Sequence, residues 1–248
     1  MNEIEWLTIP AGTVLLEAGS YLAQPTTFDL PPYAISRYPI TNRQFGAFVT
    51  AGGYETAQWW PAEGWQWRQK EKWSEPRHWQ ARDWNQPNCP SVGVSWYEAL
   101  AFCGWLGEVS GRDITLPSEQ QWQRAAQGDD NREYPWGNAK PAPHLCNWNR
   151  DRDETSEVDQ YPAGISPFGI MDLSGNVWEW CLTNWQTGLN TAQGPEPRLL
   201  RGGCWSSDSL ISLRAAHRNP KDPNIRLVPN YRNHVTVGFR CVVNHQIL

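Results

Sequence analysis

Apolar residues recur at helical spacing in three stretches of the chain. Leu100, Cys103, Leu106 and Val109 share one face of a helix that opens at Ser95, where Glu98 completes a capping box, and stops at Gly111. Thr41 stands as an N-cap before Phe45, Phe48 and Val49, which predicts a shorter helix ended by Gly52-Gly53. Pro117-Ser118 opens a third helix, with Trp122, Ala125 and Ala126 inward and Gly128 as its left-handed stop. Between the first two, the Trp- and Pro-rich stretch from Trp59 to Trp84 has no clear period and reads as an ordered, irregular loop packed through its rings. Beyond Gly128 the pattern breaks into turns and short strands, so the class expected is α+β. The run Arg150-Asp151-Arg152-Asp153-Glu154 mixes both signs and reads as a solvated loop.

Composition changes this picture in four ways. With 17 Trp among 248 residues and a mean hydropathy of -0.65, large rings rather than aliphatic runs must fill the core of what is expected to be one soluble domain over 1–248. A net charge of -5 with scattered Lys and Arg supplies no basic stripe for a phosphate backbone, so nucleic acid is an unsuitable partner. No stretch approaches the roughly 18 apolar residues of a membrane span, and the acidic start Met1-Asn2-Glu3-Ile4-Glu5-Trp6 lacks a signal-peptide core. The expected location is cytoplasmic, with no membrane partner. Six cysteines carry no CxxC pair and no zinc-like His spacing, so buried thiols are expected, the state of Cys103 and Cys241 being open.

Seven segments occur in an order that covers nearly the whole chain: Pro39-Ile40-Thr41-Asn42, Val92-Gly93-Val94-Ser95-Trp96, Leu116-Pro117-Ser118-Glu119, Tyr134-Pro135-Trp136-Gly137-Asn138, Gly175-Asn176-Val177-Trp178-Glu179-Trp180, Arg201-Gly202-Gly203 and Gly238-Phe239-Arg240. In this the sequence resembles the formylglycine-generating-enzyme, or sulfatase-modifying-factor, family. The resemblance implies a variant of the C-type lectin fold, irregular, with few helices and short strands. Formylglycine generation in that family uses two copper-binding cysteines, four and nine residues after the second glycine of the Gly-Gly pair. Here those positions are Ser207 and Ser212, and Cu(I) demands soft thiolates. The iron-dependent sulfoxide synthases of the family need a His-rich site, whereas His78, His144, His217, His234 and His245 show no HxxxH spacing. Neither a copper nor an iron site is therefore expected. A hydrolase built from Ser207, His217 and Asp208 has no Gly-x-Ser-x-Gly elbow behind it.

The resemblance also implies a structural calcium at Asp172, Gly175, Val177 and Glu179, two carboxylates and two carbonyls suited to a hard cation. The competing reading is that Asp172 caps a turn and Glu179 pairs with an arginine. A second family calcium would begin at Asn147 and Trp148, but its acidic loop is shortened here.

The segment holding the lost cysteine positions has its own character. Its layout, ending in Gly238-Phe239-Arg240, resembles the variable region of diversity-generating retroelement proteins, in which randomised adenines leave codons ending in C or T. Such codons cannot encode Trp, Met, Gln, Glu or Lys, which make up 53 of the 248 residues. A proportional share of the 36 residues from Ser206 to Cys241 would be about eight, and only Lys221 is found. The resemblance implies a binding region at 205–240 in which Ser206, Ser207, Asp208, Leu210, Ile211, Ser212, His217, Tyr231, Asn233 and His234 face a protein ligand from a rigid scaffold. Fused or associated effector domains fit the same reading. The rivals are an enzyme of the same fold with an unrecognised site and a regulatory pseudoenzyme.

Overall fold

A computed structural model describes residues 3–219, 228–232 and 234–244. Three sheets organise it. Strands β1 (Trp6–Ile9), β4 (Tyr33–Ser36), β9 (Val242–Asn244) and β5 (Ile114–Thr115) lie in the order β1-β4-β9-β5, all antiparallel. A separate hairpin pairs β2 (Gly12–Leu16) with β3 (Thr26–Leu30), and β6 (Trp178–Asn184) lies between antiparallel β7 (Arg198–Arg201) and parallel β8 (Val237–Gly238). The first sheet thus joins early and late strands of the described chain, and the third sets the strand leading into Gly-Gly and the strand opening Gly-Phe-Arg on opposite sides of β6.

The three expected helices form where their caps require. Thr41, Ser95 and Ser118 each complete a capping box before α1 (Asn42–Thr50), α3 (Trp96–Ser110) and α4 (Glu119–Gln127), satisfying amides that the first helical turn leaves bare. Gly111 ends α3 in the left-handed conformation. Gly128 also has positive φ, but its ψ of -140° lies outside the left-handed helical well, so the chain leaves α4 extended. Phe45, Phe48, Trp122, Ala125 and Ala126 are fully buried.

The stretch from Trp59 to Trp84 corrects the expectation of a loop, because it contains helix α2 (Ala62–Glu71). Its only buried residue is Gly64, whose missing Cβ lets the helix approach Tyr97 of α3; a Cβ there would lie 2.8 Å from that of Tyr97. Besides Gly64 the helix docks through half-buried Trp65 and Trp67, which stand two residues apart and make no helical stripe, so periodicity could not announce it. The rings of this stretch do pack as expected: Trp60 lies against Tyr54, Trp65 and Trp73 at centroid distances of 5.5, 6.2 and 6.5 Å.

Candidate ligand-binding face

Gly202 and Gly203 have φ of +99° and +74°, and a Cβ on Gly203 would come within 2.9 Å of the Ser212 carbonyl oxygen. Only glycine therefore lets the loop after β7 fold back upon itself. Cys204 is buried beneath this loop, and Trp205 stacks on Trp84 at 5.8 Å while its Nε1 donates to the Val235 carbonyl at 3.1 Å. Arg150 covers the Trp205 ring at 5.6 Å. Trp178 receives the His217 ring at 6.2 Å, and its backbone amide donates to Thr236. These contacts draw 205–207, 217 and 234–236 together around Trp178 and Trp205.

The expected display residues separate by environment. Asp208 and Ile211 are exposed, Ile211 at 58%, while Ser206, Leu210, Ser212, His217, Tyr231 and His234 are half-buried. Ser207 turns inward: its Oγ accepts from the Cys204 amide at 3.0 Å and its carbonyl accepts from Asn149. Leu210–Leu213 form a short 3-10 turn capped by Ser209, with Leu213 buried. The rings of Tyr231 and His234 lie 4.5 Å apart, and the His234 carbonyl accepts from Gly93. Asn233 lies outside the described residues. Beside Tyr231, a cleft of about 510 Å³ runs between α2 and this segment, lined by Trp67, Trp73, Glu75, Asn230 and Arg232. Trp84 and Arg150 were not legible as parts of this face, since each reaches it through its contact with the Trp205 ring.

Residues 2–245 match the Sulfatase-modifying factor enzyme 1-like domain. The chain belongs to this family. It is 30% identical over 237 residues to the hercynine oxygenase of Mycobacterium tuberculosis, covering 86% of this chain and 52% of that one, so it spans about half the length of that relative. It is 29% identical over 245 residues to the inactive C-alpha-formylglycine-generating enzyme 2 of Mus musculus, covering 85% and 74%. Its fold matches the structure of Treponema denticola variable protein 1 with a TM-score of 0.70 at 21% identity, over 97% of this chain and 95% of that one. The architecture is the α+β, C-type-lectin-like fold of this family.

Within the sulfatase-modifying-factor frame, the two cysteine positions are hydroxyls, Ser207 and Ser212. The nearest thiol, Cys204, has its pKa raised by burial, while its sulfur contacts the Ser206 and Ser207 hydroxyls at 3.3 and 3.6 Å. Such a thiol is a poor source of thiolate. The Cys103 and Cys241 sulfurs lie 3.6 Å apart as free thiols. His217 is pushed down to about 4, chiefly by burial and then by Arg201 and Arg214, so it is neutral at pH 7. With Ser207 Oγ on the Cys204 amide and the His217 ring on Trp178, the two form no nucleophile–base pair among the described residues.

Within the expected calcium set, Glu179 is engaged by other side chains. Both of its carboxylate oxygens are taken by the Arg240 guanidinium, Oε2 at 2.6 Å and Oε1 at 2.7 Å, and Trp122 Nε1 donates to Oε2 at 2.7 Å. A calcium held by Asp172, Gly175, Val177 and Glu179 would share the Glu179 carboxylate with a buried cation. The competing reading of Glu179 is the one observed. Asp172 is pushed up to about 7, mainly by burial, although Asn176 Nδ2 donates to it at 3.1 Å. At Asn147, where the family's second calcium would begin, Oδ1 is buried with no hydrogen-bond partner among the described residues.

Proposed function

We propose that this chain is a non-catalytic ligand-binding protein of the diversity-generating retroelement variable type, presenting residues of 205–240 to a protein ligand. One observation carries the reading. Where the family places its copper-binding cysteines, the chain turns Asp208 and Ile211 to solvent and has serines at both thiol positions. The scarcity of Trp, Met, Gln, Glu and Lys between Ser206 and Cys241 supports it, as does the fold likeness to a variable protein and the sequence likeness to an inactive enzyme. A mixed set of small polar, aliphatic and aromatic side chains on a ring-packed frame suits a protein surface, because a rigid frame limits the entropy lost on binding.

The likeness to hercynine oxygenases favours a second reading, an oxidoreductase of the same fold with another site. The deciding experiment is sequencing of the DNA around the gene. A near-copy of the Trp205–Arg240 coding segment, differing only where the copy has adenine, is the expected result. Absence of both such a copy and a neighbouring reverse transcriptase would overturn the proposal. Oxygen uptake by the purified chain with copper or iron and a thiol peptide would instead support the oxidoreductase.

A further inference from the structure

The described part of the 205–240 segment contains four arginines, and each reaches a carboxylate outside the segment. Three of those carboxylates are fully buried. Arg218 meets Glu119 through Nε at 2.7 Å and Nη2 at 3.2 Å, with Nη1 on the Glu17 carbonyl at 2.7 Å. Arg232 meets Glu98 through Nε at 2.8 Å and Nη2 at 2.8 Å, lies over the Trp73 ring at 4.6 Å, and donates to the Glu75 carbonyl. Arg240 meets Glu179 through its two-pronged contact and also donates to the Ser36 and Met171 carbonyls at 3.1 and 2.9 Å. The fourth, Arg214, is half-exposed between Glu17 and Glu133 at 2.6 and 3.3 Å.

The glutamates are themselves held by the scaffold. Glu98 is the third residue of α3 and accepts from the Ser95 amide at 2.8 Å, Glu119 opens α4, and Glu179 sits in β6. Apolar pins alternate with these pairs: Leu213, Ala215 and Ala216 are buried, the Ala215 amide donates to the Glu133 carbonyl, and Ser174 Oγ donates to the Leu213 carbonyl at 2.8 Å. The outward residues behave differently. The side chains of Asp208 and Ser212 make no ion pair or hydrogen bond among the described residues, and Ile211 projects into solvent.

We infer that Arg218, Arg232 and Arg240 are positioning residues that clamp the 205–240 segment onto Glu119, Glu98 and Glu179, leaving Asp208, Leu210, Ile211 and Ser212 to determine specificity without determining the fold. The division into clamp and display rests on the geometry, and the word specificity rests on the binding function proposed above. A guanidinium fork on a buried carboxylate is bidentate and directional, so lysine does not replace it. Exchanging an outward side chain disturbs neither a partner nor a cavity, and such changes fall within about 0.5 kcal/mol each.

The test compares two sets of variants of the full chain by thermal melting and by amide hydrogen exchange of the native state. The combined variant D208N/L210Y/I211S/S212N is expected to keep the fold and to melt within roughly 5 °C of the parent, as four small surface effects allow. Arg232→Lys is expected to raise exchange in residues 228–238 by roughly tenfold or more while protection in α3 and the β2–β3 hairpin stays unchanged. A purely global loss of stability would raise exchange everywhere alike. The inference is overturned if the four-site variant unfolds, or if Arg232→Lys leaves the segment's exchange unchanged or raises it uniformly. Should Arg232→Lys fail to fold, Arg218→Lys is read the same way at residues 206–219. These outcomes do not depend on any DNA repeat, so failure of the clamp and failure of the variable-protein reading are told apart.

Discussion

Glu179 and Arg240 offer the sharpest quantitative test, because both side chains are fully buried and their contact is two-pronged. Glu179→Gln keeps the shape and removes the charge. The amide cannot accept at both positions, and Arg240 is left as an uncompensated cation beside the Ser36 and Met171 carbonyls. Breaking a buried pair by altering one partner costs about 3–5 kcal/mol. At roughly 2–4 °C per kcal/mol for a chain of this size, the melting temperature should fall by about 6–20 °C. Arg240→Met strands Glu179 in the same way and should cost about as much. The double variant leaves no unpaired charge, so its loss should be smaller than the sum of the two singles, by an interaction energy in the range of roughly 0.5–3 kcal/mol seen for contacting residues. Calorimetry of the four proteins measures this. Melting the parent in calcium and in chelator adds a further arm: with Glu179 committed to Arg240, no shift is expected from this site, because only a ligand that binds the folded state stabilises it. Additive single losses of under about 1 kcal/mol would refute the buried-pair reasoning. A calcium-dependent rise abolished by Glu179→Gln would refute the assignment of Glu179.

Two further outcomes follow from local geometry and charge. A Cβ at Gly104 in α3 would lie 2.6 Å from the Trp59 carbonyl oxygen, whereas one at Gly46 in α1 meets only the Trp79 ring at 3.5 Å. Chemical denaturation should therefore show Gly104→Ala destabilised, overpacking costing about 1–3 kcal/mol against a helix-propensity gain of about 1, and Gly46→Ala stabilised by up to about 1 kcal/mol. The reverse order would contradict the placement of α3 against Trp59. His217 sits at about 4 in the folded protein and 6.5 in the unfolded chain, so between these values the unfolded chain binds more protons and stability falls as pH drops. Asp172, at about 7 when folded, works in the opposite direction over the same range, so the test is the difference between proteins: relative to the parent, the urea midpoint of His217→Asn should rise as pH drops from 7 to 4.5, and a constant difference would exclude His217 as a contributor.

The legible parts of this protein share a physical property: their partners lie close in sequence. Thr41 with Gln44, Ser95 with Glu98 and Ser118 with Gln121 each close a capping box within three residues, so the three helix starts could be read directly. The paired glycines 202 and 203, and the serines standing at 207 and 212, are likewise statements about single positions. The α2 helix is not legible because its docking depends on the fit of Gly64 against Tyr97 of another helix and on Trp65 and Trp67, which form no stripe of their own.

Sequence alone therefore determined the helical caps, the membership signalled by seven motifs in order, and the loss of both thiol positions. Tertiary structure decided which charges meet. Arg218, Arg232 and Arg240 find their glutamates across 99, 134 and 61 residues, and Ser207 faces inward while Asp208 faces out. No local rule chooses among the chain's carboxylates for a given arginine. Burial does, since a charge removed from water persists only beside the one partner that the packed fold brings within reach.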